Sequence, residues 1–136
     1  MGAQANLNQE GMKILSANDS IVIRKYGAGI NGGRTLDMSG FPSDLKCIKA
    51  GHVVIRSTED ETLYKPMPVA DGGAAYDSLP ANYEYVGVVV ATKPVDYPLV
   101  GIMYAGEVND VASPYPVDSI KSALKTALPG LVFMHD

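Results

Sequence analysis

From residue 20 onward, short runs of β-branched and other apolar residues alternate with breaks made of glycine, proline, asparagine or acidic residues. Apolar runs of this length between turn residues are typical of β-strands. The pattern predicts about six short strands, over residues 20–26, 46–56, 62–65, 83–92, 99–108 and 131–134. Within the fourth strand the apolar run 86–91 is unbroken, which predicts a strand buried on both faces.

Glycine and acidic residues mark where these strands bend or turn. Gly51 is expected to bend the second strand, and the acidic stretch 57–61 is expected to join the second and third strands as a solvated hairpin turn. Gly101 and Gly106 are candidate sites of β-bulges in the fifth strand.

One segment near the C-terminus has a helical period instead. The apolar stripe of a helix over 117–128 is formed by Ile120, Ala123, Leu124, Ala127 and Leu128. Asp118 or Ser119 is expected to cap its start, and the Pro129-Gly130 pair ends it. The fold predicted from the pattern is mainly β, a small barrel-like or sandwich-like domain of about six short strands, with one C-terminal α-helix.

Residues 1–19 differ in composition from the rest of the chain, because they are rich in alanine, asparagine, glutamine and glycine. With 136 residues the chain is one domain long. We therefore predict a mobile N-terminal arm over 1–19 and a single β-rich domain over 20–136. The arm is either a frayed terminus or a segment that orders on a partner. Its candidate binding residues are the apolar ones, Leu7, Met12, Ile14 and Leu15.

Charge and composition exclude several classes of protein. The net charge is −4 and the 11 basic residues are scattered, so the sequence predicts no nucleic-acid partner. No run of apolar residues is long enough for a membrane helix, and the first residues do not resemble a signal peptide, so we expect no membrane partner and synthesis in a reducing cytoplasm. A single cysteine, Cys47, and two histidines predict neither a metal site nor a cofactor.

The motifs that would indicate an enzyme are incomplete. Residues 27–32 match GxGxxG, but Gly40 and Pro42 prevent the helix that a dinucleotide site needs next. No GxSxG motif accompanies the serines. His52 is interpreted as a strand histidine with a satisfied hydrogen bond, and Cys47 as a small buried residue. The sequence therefore predicts a binding or structural protein with no catalytic residues.

Five segments, taken in their order, resemble the head decoration proteins of tailed phages, a group that includes the lambda decoration protein, and the domains described as phage head fibre proteins. The segments are AGHVV at 50–54, YKPM at 64–67, YVGVV at 85–89, AGEVN at 105–109 and IKSALKTALPGLVF at 120–133. The resemblance begins at Ile48. The loop 27–45 and the insertion 70–82 are longer here than in the minimal lambda-type form.

The resemblance implies a virion structural protein that binds the major capsid protein on the outer surface of a phage head. In this family the protein is a homotrimer that stabilises the capsid, and its N-terminal arm orders against the capsid by adding a strand to a sheet edge. Many copies acting together make weak single contacts strong. The alternatives are a head fibre or an adhesion module that contacts host glycans through its tyrosines, and a small enzyme, which would require a deep pocket.

Overall fold

The structure, a computed structural model, describes residues 18–135. These residues form two short α-helices, α1 (Asp19–Val22) and α2 (Lys121–Ala127), and a 3₁₀ turn at Asp71–Gly73. They also form ten strands: β1 (Ile23–Gly29), β2 (Arg34–Thr35), β3 (Cys47–Ile48), β4 (Val53–Ser57), β5 (Tyr64–Pro66), β6 (Tyr83–Val89), β7 (Lys93–Pro94), β8 (Leu99–Val100), β9 (Ile102–Val108) and β10 (Leu131–Phe133). The mainly β class with a helix near the C-terminus is confirmed.

One sheet of six strands organises the domain. Five strands follow the order β1-β9-β6-β4-β5, and every neighbouring pair in this order is antiparallel. Strand β10 runs parallel to β9 and pairs with its second half. The ladders β2–β8 and β3–β7 have two residue pairs each and lie outside this sheet. The hairpin of β4 and β5 around the acidic turn is confirmed.

The two faces of the sheet are covered by different parts of the chain, as the two core clusters in the described residues show. One cluster joins the sheet to α1, α2 and the segment after β5 through Val22, Met67, Tyr76, Ile120, Leu124 and Leu131. The other joins it to the two-residue ladders through Leu36, Ile48 and Val100. Because Val88 belongs to the first cluster and Val89 to the second, the prediction that β6 is buried on both faces is confirmed.

Glycines fit the predicted bends. Gly51 has φ +90°, a conformation open to glycine, and a side chain there would collide with Val22. It separates β3 from β4, as expected. Gly101 interrupts the predicted fifth strand, between β8 and β9. Opposite Gly106 the extra residue is on β1, between Tyr26 and Ala28, and not in the fifth strand as predicted.

The C-terminal helix is shorter than predicted. Only Lys121–Ala127 is α-helical, and it begins without a side-chain cap from Asp118 or Ser119 in the described chain. Ile120 and Leu124 are buried as predicted, but Ala123 and Ala127 are exposed. The stripe is narrower than expected because about two turns of helix contact the sheet along one line only.

Two other expectations differ from the structure. Residues 20–22, predicted as the start of a strand, form the end of α1, because the Asn18 carbonyl accepts hydrogen bonds from the N–H groups of Ile21 and Val22. Cys47 is half-buried rather than buried, because β3 lies at the surface in a two-residue ladder. Among the described residues, no helix is long and apolar enough to cross a membrane.

Candidate interaction surface

The point at which the N-terminal arm meets the domain is fixed by one carboxylate. The N–H of Thr92 donates to Asp19 Oδ2 at 2.8 Å, and the Thr92 hydroxyl donates to Asp19 Oδ1 at 2.7 Å. The same hydroxyl accepts the N–H of Ala50 at 3.1 Å. Downstream, Val22 is buried and its carbonyl accepts the N–H of Asn109. Asp19, which the composition assigned to the arm, is therefore part of the folded domain.

A cleft of about 300 Å³ opens beside this anchor, and we call it the root cleft. Its walls include Asn18, Asp19, Val22, Lys49, Ala112 and Pro114. The walls are mixed in character, since Val22, Ala112 and Pro114 are apolar and the other three residues are polar. The root cleft thus offers apolar surface directly next to the first described residue of the chain.

Beyond the root cleft lies a group of four aromatic side chains, the aromatic cluster, formed by Phe41, His52, Tyr76 and Tyr115. The His52 ring lies 5.5 Å from the rings of both Tyr76 and Tyr115, edge-on to each. The hydroxyl of Tyr76 accepts the N–H of Val53, at the start of β4. The cluster therefore ties the loops around residues 41, 76 and 115 to the central sheet.

His52 is buried, and its Nε2 lies 3.0 Å from the Met67 carbonyl oxygen. Since a carbonyl only accepts, the proton of the neutral ring is on Nε2. Burial lowers the pKa of His52 to about 4, and the bond to Met67 opposes part of that shift. The predicted hydrogen bond is confirmed, but His52 lies directly before β4 and not within a strand as predicted. Burial raises the pKa of Tyr76 in the same cluster.

Two further clefts continue the surface from the root cleft past the aromatic cluster. One, of about 230 Å³, shares Lys49 and Pro114 with the root cleft and reaches His52 and Tyr115. The other, of about 380 Å³, shares Tyr115 with it and extends to the turn at Gly72. A continuous, indented loop face therefore leads from the arm's attachment point across the loops that follow β2 and β5.

A separate apolar groove of about 510 Å³ lies where β6 and β9 separate. Among the described residues, β6 pairs with β9 only at Val88–Met103 and Val89–Ile102. Further along β9, at residues 106–108, β10 pairs with it instead. The groove is lined mainly by apolar side chains, among them Ile30, Tyr85, Val86, Tyr104 and Leu128. Arg56 is at its rim, bound to Glu84 at 2.6 Å.

The tyrosines fall into two groups that the sequence did not separate. Tyr64, Tyr76 and Tyr85 are core residues, whereas Tyr26, Tyr97 and Tyr104 are exposed. Tyr97 is the most open, with 71% of its surface accessible. Tyr104 is at the apolar groove, and Tyr26 is on β1.

The four arm residues predicted to bind a partner, Leu7, Met12, Ile14 and Leu15, lie outside the described residues. Sequence reasoning missed Asp19, the aromatic cluster and the apolar groove. An acidic residue two positions before the β-branched run 21–23 was the available signal for Asp19. Within residues 18–135, no group of three histidine, cysteine or acidic side chains is arranged to hold a metal ion. No protein-family model, curated protein or solved structure matches the chain.

Proposed function

We propose that this chain is a virion structural protein that binds the outer surface of a phage capsid and stabilises it as a trimeric decoration protein. The observation that carries the proposal is the anchoring of Asp19 by Thr92. It holds the start of the arm at one fixed place, beside the root cleft and the loop face. The arm and an indented surface are then available to the same partner, the major capsid protein.

The attachment works through the arm and the loop face together. The apolar residues of the arm, Leu7, Met12, Ile14 and Leu15, enter shallow pockets on the capsid protein, and the arm backbone adds to a sheet edge. Ordering each arm residue costs about 1–2 kcal/mol in backbone entropy, so one arm binds weakly. A trimer that presents three arms from fixed roots gains strength by multivalency.

The order of the elements supports the proposal. The five segments that resemble the decoration proteins coincide with β4, β5, β6, the end of β9, and α2 followed by β10. These elements make up the central sheet apart from β1, and the helix that packs on it. The segments that depart from the lambda-type form, 27–45 and 70–82, contribute to the loop face instead.

In the proposed trimer, the protomers contact one another through the apolar groove. Trimer contacts require apolar surface on each copy, with aromatic residues favoured. The groove offers Tyr104, which is 44% exposed, together with Ile30 and Leu128. It is lined by residues other than those of the root cleft, so a trimer formed there leaves the arms and the loop face free.

The experiment that tests the function removes residues 1–15 and measures co-sedimentation with empty, expanded capsids. The truncated protein should melt near the temperature of the full chain and fail to bind, because residues 18–135 retain their own core. If the truncated protein decorates capsids at full occupancy, the arm is only a terminus. The attachment surface would then have to be sought in the loops 27–45 and 70–82.

A second candidate, a head fibre base or adhesion module, is favoured by the exposure of Tyr26 and Tyr97. Tyrosine contributes an apolar ring face for a sugar and a hydroxyl for hydrogen bonds. This candidate predicts binding to host cells or cell-surface glycans when no capsid is present. Copy number separates the two, since a cement protein occupies the virion in hundreds of copies and a fibre base in a few.

A further inference from the structure

The glycine-rich segment over residues 27–32, which matches GxGxxG, is followed by β2 and not by a helix. Its first two glycines serve the central sheet, because a side chain at Gly27 or Gly29 would collide with the backbone of β9. The chain leaves β1 at Gly29 and turns before β2 begins at Arg34. The last two residues of the motif, Asn31 and Gly32, form the tip of this turn and belong to neither strand.

The turn at residues 30–33 is closed by one backbone hydrogen bond. The Gly33 N–H donates to the Ile30 carbonyl at 3.3 Å, just beyond the usual range of about 2.7–3.2 Å. Gly32 has φ +78°, the left-handed conformation that the third residue of a type II turn requires. A surface turn closed by a single long bond opens at little cost, so the backbone at Asn31 is able to rotate.

The side chain of Asn31 and the backbone nitrogen of Gly32 are both accessible. The two residues are exposed, and a Cβ atom built at Gly32 would meet no other atom within 4 Å. Within residues 18–135, neither the Asn31 side-chain amide nor the Gly32 N–H makes a hydrogen bond. The two atoms that a ring closure would join, the side-chain carbonyl carbon of Asn31 and the nitrogen of Gly32, are therefore unhindered.

Arg34 places a positive charge on the peptide bond between these two residues. Its Nη1 donates to the Asn31 backbone carbonyl at 3.1 Å and also to the Gly33 carbonyl. A cation bound to the Asn31 carbonyl draws electron density from the peptide bond, and so favours loss of the proton on the Gly32 nitrogen. The deprotonated nitrogen is the nucleophile that attacks a neighbouring amide carbon. The turn thus combines an open nucleophile, an open amide and an activating charge.

We propose that Asn31 is a site of spontaneous covalent modification, at which its side-chain amide is lost through a succinimide formed with Gly32. The Gly32 nitrogen bonds to the side-chain carbonyl carbon of Asn31, and the side-chain nitrogen leaves as ammonia with the proton from Gly32. Water, the one co-reactant, then opens the ring at either carbonyl and leaves aspartate or isoaspartate at position 31. Either product adds a negative charge close to Arg34, and isoaspartate also lengthens the backbone by one methylene. The reaction requires neither a capsid nor a second copy of the chain.

Peptide mapping of the full chain tests the proposal. Trypsin cleaves after Lys25 and Arg34, so the peptide 26–34 contains Asn31 as its only asparagine. The protein is incubated in mildly alkaline buffer, folded or unfolded in guanidinium chloride, and the conversion of this peptide is followed by mass spectrometry. The rate in the folded protein should be within about threefold of the rate in the unfolded chain, because the turn leaves both reacting atoms open.

Two other asparagines are internal controls in the folded protein. Asn82 is exposed but is followed by Tyr83, and the Asn109 Oδ1 accepts the N–H groups of Val111 and Ala112. Both should convert at least about tenfold more slowly than Asn31, because only glycine leaves the attacking nitrogen without a neighbouring side chain.

Asn31→Gln is the matched variant, since ring closure from glutamine would need a larger ring. Ion exchange of the incubated proteins should show a more acidic form in the unmodified chain and not in this variant. A folded rate that falls further below the unfolded rate than expected means that the turn protects Asn31, which contradicts the proposal. Equal conversion at Asn31, Asn82 and Asn109 contradicts it as well, and so does an acidic form that accumulates equally in Asn31→Gln.

Discussion

Asp19 and Thr92 are 73 positions apart in the chain, and the Asp19 carboxylate accepts both the backbone N–H and the side-chain hydroxyl of Thr92. The same hydroxyl accepts the N–H of Ala50, so three segments meet at one point. Asp19 is therefore held against the segment between β6 and β7 and, through the Thr92 hydroxyl, is linked to the segment that precedes β4.

Asp19→Ala should lower the free energy of unfolding by about 1–3 kcal/mol, because it leaves the part-buried Thr92 N–H without its acceptor. The loss should appear as faster amide exchange at Val22, whose N–H donates to the Asn18 carbonyl, and at Asn109, whose N–H donates to the Val22 carbonyl. Asp118→Ala is the matched control, since Asp118 is exposed. Equal unfolding midpoints of the two variants in urea would contradict the role given to Asp19.

Leu124→Ala should destabilise the protein by about 2–5 kcal/mol, because Leu124 is fully buried between α2 and the sheet. Lys125→Ala, one position further on the exposed side, should change the stability by less than about 0.5 kcal/mol. A denaturant titration of both variants checks the pair. Similar losses would mean that α2 presents another face to the core.

Acid should destabilise the protein through His52. The pKa of His52 is about 4 in the folded protein and about 6.5 in the unfolded chain. Between these two values the unfolded chain binds a proton at His52 that the folded protein does not bind, so acid favours unfolding. The contribution of His52 to stability is therefore fully present above pH 6.5. It is lost progressively down to about pH 4, by about 3 kcal/mol in total.

His52→Gln tests whether His52 causes the loss of stability in acid, because the glutamine amide can still donate to the Met67 carbonyl but does not titrate. The difference in unfolding free energy between pH 7 and pH 4.5 should shrink in this variant. His135→Gln, which removes the exposed histidine bound to Asp110, is the control and should keep the full difference. Asp110 does not titrate between pH 4.5 and pH 7, because its hydrogen bonds with Lys121 and His135 lower its pKa to about 2. A full acid loss in the His52 variant would exclude His52 as its source.

The strands that the sequence predicted best are β4 and β6, because their β-branched residues are buried, in agreement with their local preference. The ladders of β2, β3, β7 and β8 have two residues per strand, too few to form a pattern. Ser20–Val22 is apolar and β-branched at two positions, yet helical, because the Asp19 anchor and the burial of Val22 outweigh propensity. The apolar groove depends on where two strands separate, which no local pattern encodes.

The free or capsid-bound protein should be a trimer, and Tyr104→Arg should convert it to a monomer. A charge at Tyr104 would be buried against an apolar partner surface in the trimer, which is unfavourable without a counter-charge. Tyr97→Arg is the control, since Tyr97 is more exposed but lies in the turn before β8, outside the groove. Light scattering that shows a monomer for the unmodified protein, both free and on capsids, would contradict the trimer itself.

Ile14→Asp should weaken capsid attachment nearly as much as removal of residues 1–15, while leaving the melting temperature unchanged. The reason is that Ile14 is one of the arm's candidate binding residues, so an aspartate there would carry an unpaired charge into an apolar pocket of the capsid protein. Ser16→Asp introduces the same charge two residues away at a polar position, and is the matched control. Co-sedimentation with empty capsids over a range of protein concentrations gives the apparent affinity of each variant. If Ile14→Asp binds capsids like the unmodified chain, Ile14 does not contact the capsid, and the arm's contribution has to come from Leu7, Met12 or Leu15 and the backbone around them.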